Sequence, residues 1–346
     1  MTFTRLQKFR AGSLVAMIIM SLAWHGAAQA ADWASVIMYH RFGEDQHTST
    51  NIRVDQFKEH IQELTNGQYT VLPLNEIVDR LETGESLPDR TVAITIDDAY
   101  QSVYEIAWPM LKDANLPFTV FVSVEGVEKR FPGYMNWDQI RELRDAGVHI
   151  GHHTYSHSHL PLMSAEEIEA DINLASKQFQ AELGFVPAIF AYPYGEYGSD
   201  VKAVVRKIGF KAAFGQQSGV SYSGHDRLEL PRFAMSENYG GIGRFRLAAN
   251  ALPLRVTDVT PSDNFLKRNP PNFGFTIVED YGDLNGLSCF SSNQTGGAVP
   301  IEKIGDSRIE IRLAAAFKPG RGRINCTLLG PDRRWRWFGS LFYIAK

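Results

Sequence analysis

The sequence predicts an α/β protein, an irregular (β/α) barrel followed by a small β-sandwich-like C-terminal domain. Three observations predict it. From Val36 to Phe233 short apolar runs alternate with stretches of helical spacing, the pattern of β/α units around a parallel sheet. The stretch from Leu252 to Asn272 breaks that pattern with prolines at 253, 261, 270 and 271, and beyond it strand-like segments are separated by Gly-rich and Asn-rich turns. The charge also reverses: residues 31–254 hold 19 basic and 30 acidic side chains (net −11), residues 255–346 hold 13 and 9 (net +4). At 346 residues, 44% hydrophobic and 21% charged, the chain is long enough for one large and one smaller domain, and its composition excludes disordered and collagen-like classes.

Residues 1–30 open with Arg5, Lys8 and Arg10 and no acid, continue with an apolar stretch from Ala11 to Ala23, and end on Ala28-Gln29-Ala30, a small-x-small cleavage site. This reads as a secretory signal peptide cleaved after Ala30, since the apolar run falls short of the ~20 residues that span a bilayer. An exported protein, periplasmic or secreted, with no transmembrane segment after cleavage is expected. The division is then 1–30 signal peptide, 31–254 barrel domain and 255–346 β-rich accessory domain.

Within the barrel domain the strand-like runs are Val36 to Tyr39, Val92 to Ile96, Phe118 to Val124, Val148 to Gly151, Ala188 to Tyr192, Ala212 to Gly215 and Leu228 to Phe233. Continuous Val/Ile/Phe runs of this kind suit strands covered on both faces. Helical spacing appears at 57–64, 74–81, 104–112, 137–146, 165–183 and 200–208. Asn136 is placed to cap the fourth helix and Gly147 to end it; Ser164 with Glu167 forms a capping box for the fifth, which Gly184 ends. About seven units suggest a barrel, and no Gly-rich phosphate-binding pattern supports a dinucleotide fold.

The acidic barrel argues against nucleic acid or an anionic polymer as substrate. Cys289 and Cys326, the chain's two cysteines, both lie in the C-terminal part, where a single disulfide is the natural reading for an exported protein.

Histidine placement carries the first chemical signal: five of the ten, at 149, 152, 153, 157 and 159, fall within eleven residues. His153 and His157, four apart, would project from one side of a helical turn, where they could share a metal or, as a pair taken alone, serve as structural histidines. Thr154 stands where a zincin has Glu, which excludes that protease class. His149, His152 and His159 are read as local hydrogen-bonding or surface residues. Asp97 and Asp98 end the strand Val92-Ala93-Ile94-Thr95-Ile96, and neighbours in an extended chain point to opposite sides, so the two suit different jobs. Two buried carboxylates need a cation or donors. Together with Pro193-Tyr194-Gly195, these residues follow strands and would meet at the C-terminal face of the barrel.

On three ordered motifs the region 36–235 resembles the polysaccharide deacetylases, carbohydrate esterase family 4. Thr95-Ile96-Asp97-Asp98-Ala99 resembles the first motif, usually Thr-Phe-Asp-Asp-Gly; His153-Thr154-Tyr155-Ser156-His157 resembles the second, His-Ser/Thr-x-x-His; Ala191-Tyr192-Pro193-Tyr194-Gly195 resembles the third, Arg-x-Pro-Tyr-Gly. The resemblance implies Asp97 as general base, Asp98, His153 and His157 as ligands of a divalent metal, and the Tyr194 backbone N–H as oxyanion donor. From that ligand set zinc is the first choice, with cobalt, nickel or iron able to fit. The implied activity is hydrolysis of N-acetyl groups on an amino-sugar polysaccharide. Deacetylation of chitin or peptidoglycan, O-acetyl esterase activity, or binding of carbohydrate without catalysis are the rival readings. Ala99 replaces the usual Gly, Ala191 replaces the Arg that tethers the base, and the later motifs are absent; Leu228-Glu229-Leu230-Pro231-Arg232 occupies their approximate place. These departures, with Met38-Tyr39-His40, look most like the poly-β-1,6-N-acetylglucosamine deacetylase branch.

Substrate contacts are expected from Pro193, Tyr194, Tyr192, Trp137 and His40. His40 ends the first strand as an acid, a substrate contact or a structural histidine, and Trp137 beside a helix start is equally a packing anchor. Arg333-Arg334-Trp335-Arg336-Trp337-Phe338 mixes basic and aromatic residues as a polymer-binding surface would, but strand alternation gives the simpler account, putting both tryptophans into the sandwich core.

Overall fold

The computed structural model describes residues 1–2, 30–294 and 297–345. The signal peptide read over 1–30 therefore lies outside the described residues except at its ends. Among the described residues no helix is long and apolar enough to cross a membrane.

Strands β1 (Trp33–Tyr39), β2 (Thr91–Asp97), β3 (Thr119–Val122), β4 (His149–His152), β5 (Ile189–Ala191) and β6 (Ala212–Phe214) pair side by side and parallel in the order β6-β5-β4-β3-β2-β1. The short strand β7 (Phe233–Ala234) pairs parallel with β1, while Leu230, three residues earlier, bridges to Phe214 of β6. The segment 230–234 thus reaches from one edge of the curled sheet to the other, as the (β/α) barrel reading requires. Every residue of β2 is buried, and Val36, Ile37, Val120 and Phe190 are fully so, which is why these runs read as continuous rather than alternating.

The helices α1 (Val54–Asn66), α2 (Leu74–Thr83), α3 (Trp108–Asp113), α4 (Val124–Glu128), α5 (Trp137–Asp145), α6 (Ala165–Leu183), α7 (Ser199–Ile208) and α8 (Ile242–Ala249) connect and cover the strands. Local chemistry sets their ends. The Asn136 side chain accepts from the Gln139 N–H and the Ser164 side chain from the Glu167 N–H, while Gly184 and Gly209 end α6 and α7 with φ of 81° and 95°. The helix expected over 104–112 opens as a π-turn at Val103–Ala107, because Pro109 offers no N–H to the preceding turn. Helices α4 and α8, both short, lie outside the stretches of helical spacing named above.

Beyond Ala251 the chain forms two four-stranded sheets. One contains β8 (Leu252–Pro253), β11 (Ser288–Ser291), β14 (Gly320–Leu329) and β15 (Trp335–Ile344); the other contains β9 (Val256–Thr260), β10 (Phe273–Ile277), β12 (Ile301–Ile304) and β13 (Arg308–Ile311). Their core gathers Phe273, Phe275, Ile309, Ile324 and Phe342 around a disulfide between Cys289 and Cys326, which face each other in the β11–β14 ladder. The expected disulfide is present. The tryptophan reading is corrected: Phe338, not Trp337, enters this core, with its ring 5.1 Å from Phe275. Trp337 points the other way and meets Phe233 of the barrel edge-on at 5.3 Å. The alternation holds but its phase is reversed, because one face of β15 packs on the barrel.

Candidate metal centre

Asp97 is the last residue of β2 and Asp98 the first beyond it, so one carboxylate continues the strand while the next turns away. The Asp98 N–H donates to the Phe121 carbonyl at 2.9 Å. Asp98 and Ala99 then adopt φ of 77° and 63°, a left-handed turn. At Ala99, where the family motif has Gly, the Cβ makes this turn cost roughly 1 kcal/mol. Thr154 (65°), His157 (53°) and Tyr194 (58°) are also left-handed. Strained residues gathered at one place mark a functional site.

The structure brings Asp98, His153 and His157 together. Asp98 Oδ1 lies 3.3 Å from His153 Nε2 and 3.1 Å from His157 Nε2. The histidine pair does not sit on the expected helical turn: residues 153–159 are irregular, and His157 is swung toward His153 by left-handed backbone at Thr154 and His157. The His157 N–H donates to Thr154 Oγ1 at 3.1 Å, and the Tyr155 and Ser156 N–H groups donate to the Asp171 carboxylate at 2.9 and 3.0 Å. Asp171, on α6, holds the loop between the two histidines and carries no local sequence signal of that role.

These residues fit a cation. The His153 Nδ1–H donates to the Ala191 carbonyl at 2.7 Å. A neutral imidazole with its proton on Nδ1 presents a lone pair from Nε2, here toward a carboxylate oxygen. His153 Nε2 and Asp98 Oδ1 are both buried without a hydrogen-bond partner. Two facing acceptors repel unless a positive charge lies between them. Burial pushes the Asp98 carboxyl up, but positive charge on His157 and hydrogen bonds that His153 and His157 can donate in place of a cation outweigh it and hold it well below the usual range. Asp98 is therefore a carboxylate, the form a cation needs.

Asp97 is tethered by a residue that motif reading did not assign. Arg232 Nη1 and Nη2 donate to Asp97 Oδ1 and Oδ2 at 2.7 and 2.8 Å, with both side chains wholly buried. Arg232 Nε also donates to the Gly215 carbonyl at 3.0 Å. Burial pushes the Asp97 carboxyl up, yet the Arg232 charge more than offsets this and the net shift is downward. The guanidinium absent at position 191 thus arrives from the segment that closes the barrel. Its signal was the apolar strand-like context of Leu230-Pro231-Arg232-Phe233, in which a buried Arg needs a carboxylate.

His40 lies at the same face, its Nε2 3.9 Å from Asp97 Oδ2. Burial pushes its pKa down against the pull of Asp98 and Asp97, which favours a neutral ring. Tyr194 packs its ring edge-on against His157 at 4.5 Å and flat on His159 at 4.2 Å, and buried Pro193 starts the same turn. Gly195 has φ of 71°, and a Cβ there would come 2.4 Å from the Gln216 backbone.

One expected sugar contact is closed to solvent. Tyr192 is fully buried, donating its hydroxyl to the Leu228 carbonyl at 2.8 Å and packing on Phe190 and Tyr197, so no sugar reaches it. Trp137 packs edge-on against Phe179 of α6 and acts as the packing anchor. His152 is likewise structural, buried among Phe179, Phe190 and Phe210, with Nδ1 accepting the Thr154 N–H at 3.1 Å.

Residues 84–213, which span all three motifs, match the family model of polysaccharide deacetylases. A poly-β-1,6-N-acetyl-D-glucosamine N-deacetylase of Staphylococcus aureus is 24% identical over 231 residues, covering 63% of this chain and 79% of the relative. The fold is shared with the Streptococcus pyogenes deacetylase PplD, solved with acetate, at a TM-score of 0.58 and 20% identity over 63% of this chain and 98% of that one. IcaB from Ammonifex degensii superposes at 0.57 with 24% identity, over 64% and 98% of the two chains. The resemblance to the deacetylase family, and with it the reading of an enzyme, is borne out by these matches.

Proposed function

We propose that the chain is a metal-dependent hydrolase, exported from the cell, that removes N-acetyl groups from an N-acetylglucosamine polymer. The observation that carries this reading is the division of labour at the end of β2: Asp98 Oδ1 faces His157 and the unpartnered Nε2 of His153, while its neighbour Asp97 faces an arginine. Binding alone has no use for that division.

Asp98, His153 and His157 would hold the divalent cation, zinc by its preference for imidazole and carboxylate, which supplies Lewis-acid polarisation of an acetamide carbonyl and of water. Asp97 takes a proton as water adds to the carbonyl carbon. Arg232 fixes the direction of that carboxylate at some loss of basicity. The Tyr194 N–H is the donor assigned to the developing oxyanion. When the C–N bond breaks, the amine needs a proton and acetate leaves; His40, kept neutral by burial, is placed to pass the proton on from Asp97. Tyr100 and Tyr134, half-buried with rings 4.8 Å apart next to the Asp98 turn, offer the sugar-stacking surface that buried Tyr192 does not. The low identity to the Staphylococcus aureus enzyme leaves the polymer as a choice among acetylated glycans, with β-1,6-linked N-acetylglucosamine favoured.

The test is acetate release by the mature chain from β-1,6-linked N-acetylglucosamine oligomers, chitin oligomers, peptidoglycan fragments and an O-acetylated xylan, before and after chelation and zinc addition. Zinc-restored release from an N-acetylated glycan is expected. Release from the O-acetyl ester alone, or release indifferent to chelation, would overturn the reading.

A further inference from the structure

The C-terminal sandwich reaches into the catalytic face through Arg321. This residue lies on β14, and its Nη1 donates to the Tyr194 carbonyl at 3.3 Å while its Nε lies 3.7 Å from Glu196 Oε1. Glu196 is itself buried, and its other oxygen pairs with His159 Nδ1 at 2.6 Å. His159 stacks on the Tyr194 ring, and its own ring lies 5.9 Å from that of Tyr343 on β15. The turn 193–196 is therefore held from the barrel by His159 and from the sandwich by Arg321.

Tyr194 needs such holding. Its φ of 58° and ψ of 3° place a bulky residue in the left-handed region, which persists only where surroundings over-determine it. Its ring touches His157, so a relaxed turn would move both the Tyr194 amide and the surface against a metal-ligating imidazole. We infer that Arg321 is a positioning residue for the reaction: the accessory domain locks the Tyr194 turn in its left-handed form and so sets the donor at the catalytic face. This rests on the role assigned to Tyr194 above. It gives the sandwich a part in turnover on small substrates as well as on polymer.

The experiment uses the full mature chain with Arg321→Met, Arg321→Lys and, as a control for lost charge, Arg312→Met, whose partners Glu302 and Glu310 lie within the sandwich. Hydrogen exchange of peptides spanning 192–198, zinc content, and kcat and KM for a soluble acetylated oligomer are measured. For Arg321→Met, faster exchange confined to the turn is expected, with wild-type zinc content, KM within about twofold, and kcat lower by roughly tenfold, less than the 10²- to 10³-fold for losing an oxyanion donor outright. Arg321→Lys, which keeps the charge beside Glu196, should lie between, and Arg312→Met should match wild type. Unchanged exchange in the turn, or faster exchange with unchanged kcat, overturns the inference. If the wild-type chain releases no acetate, the deacetylase reading fails, and the exchange result still decides whether Arg321 holds the turn.

Discussion

Changing Asp97 to Asn should separate three properties that the site couples: stability, metal binding and turnover. Asp97 and Arg232 are both without solvent exposure, so their bidentate pair is a desolvated one. Asn offers one acceptor in place of two and turns an NH2 toward an arginine N–H, leaving the guanidinium with the Gly215 carbonyl and Thr95 Oγ1, the latter at 3.3 Å. Breaking one side of a buried pair costs about 3–5 kcal/mol, a large part of the ~5–15 kcal/mol that typically holds a protein folded. The variant should therefore fold, but melt at a clearly lower temperature. Metal content should stay near wild type, since Asp98, His153 and His157 are untouched. Turnover should fall by roughly 10²- to 10⁴-fold, the loss of a general base. Adding Arg232→Met to Asp97→Asn removes the stranded cation and should recover part of the stability while leaving turnover low. Calorimetry, metal analysis and acetate release below the variant's melting temperature decide the matter. Metal lost in Asp97→Asn but kept in Asp98→Ala would mean that the two aspartates have exchanged roles. Turnover within tenfold of wild type would remove Asp97 as the base, and unchanged stability would refute the energetic account of Arg232.

His153→Ala and His157→Ala should each lose zinc and acetate release together, as measured by metal analysis of the purified protein; activity surviving metal loss would contradict the assignment. His60 is buried, with Nε2–H donating to the Gly240 carbonyl at 2.8 Å and Nδ1 accepting the Tyr39 hydroxyl at 2.9 Å, and burial lowers its pKa to about 4 despite the Gly240 bond. Because the folded value lies below the unfolded one, stability is lost as pH falls from about 6.5 toward 4, by about 2 kcal/mol at pH 5. His60→Gln, which keeps an acceptor and a donor, should flatten that part of the Tm–pH curve, and an unchanged curve would exonerate His60. Replacing Cys289 and Cys326 by Ser opens a loop with sequence separation 37 and should cost up to roughly 4 kcal/mol on the chain-entropy account. Thermal unfolding should show the loss in the sandwich; a thiol count of two on the oxidised, denatured wild-type chain would remove the disulfide.

Much of the site and fold was legible because the signals are local. The run ending in Asp97-Asp98 is a buried strand by composition, Ser164 and Gly184 bracket α6 by capping chemistry, and the motif order puts aspartates, histidines and the Tyr194 turn after the parallel strands β2, β4 and β5. Parallel strands deliver such loops to one end whatever the details of packing. What faces what across the barrel was not legible. Arg232 meets Asp97 across 135 residues, and Asp171 and Arg321 reach their loops from a helix and from a C-terminal strand, so no spacing in the sequence announces them. Alternation placed Trp337 and Phe338 on opposite faces of β15, but only docking against Phe233 decided which face is the sandwich core. Tyr192 shows the same limit: its motif sits beside the site, yet its side chain belongs to the layer of Phe190 and Tyr197 beneath it. Period, caps and strand ends follow from short-range sterics and hydrogen bonding, which the sequence carries residue by residue. The partner of a buried charge and the choice between two apolar faces are set by which distant surfaces exclude water together, and only the closed barrel and its docked sandwich determine that.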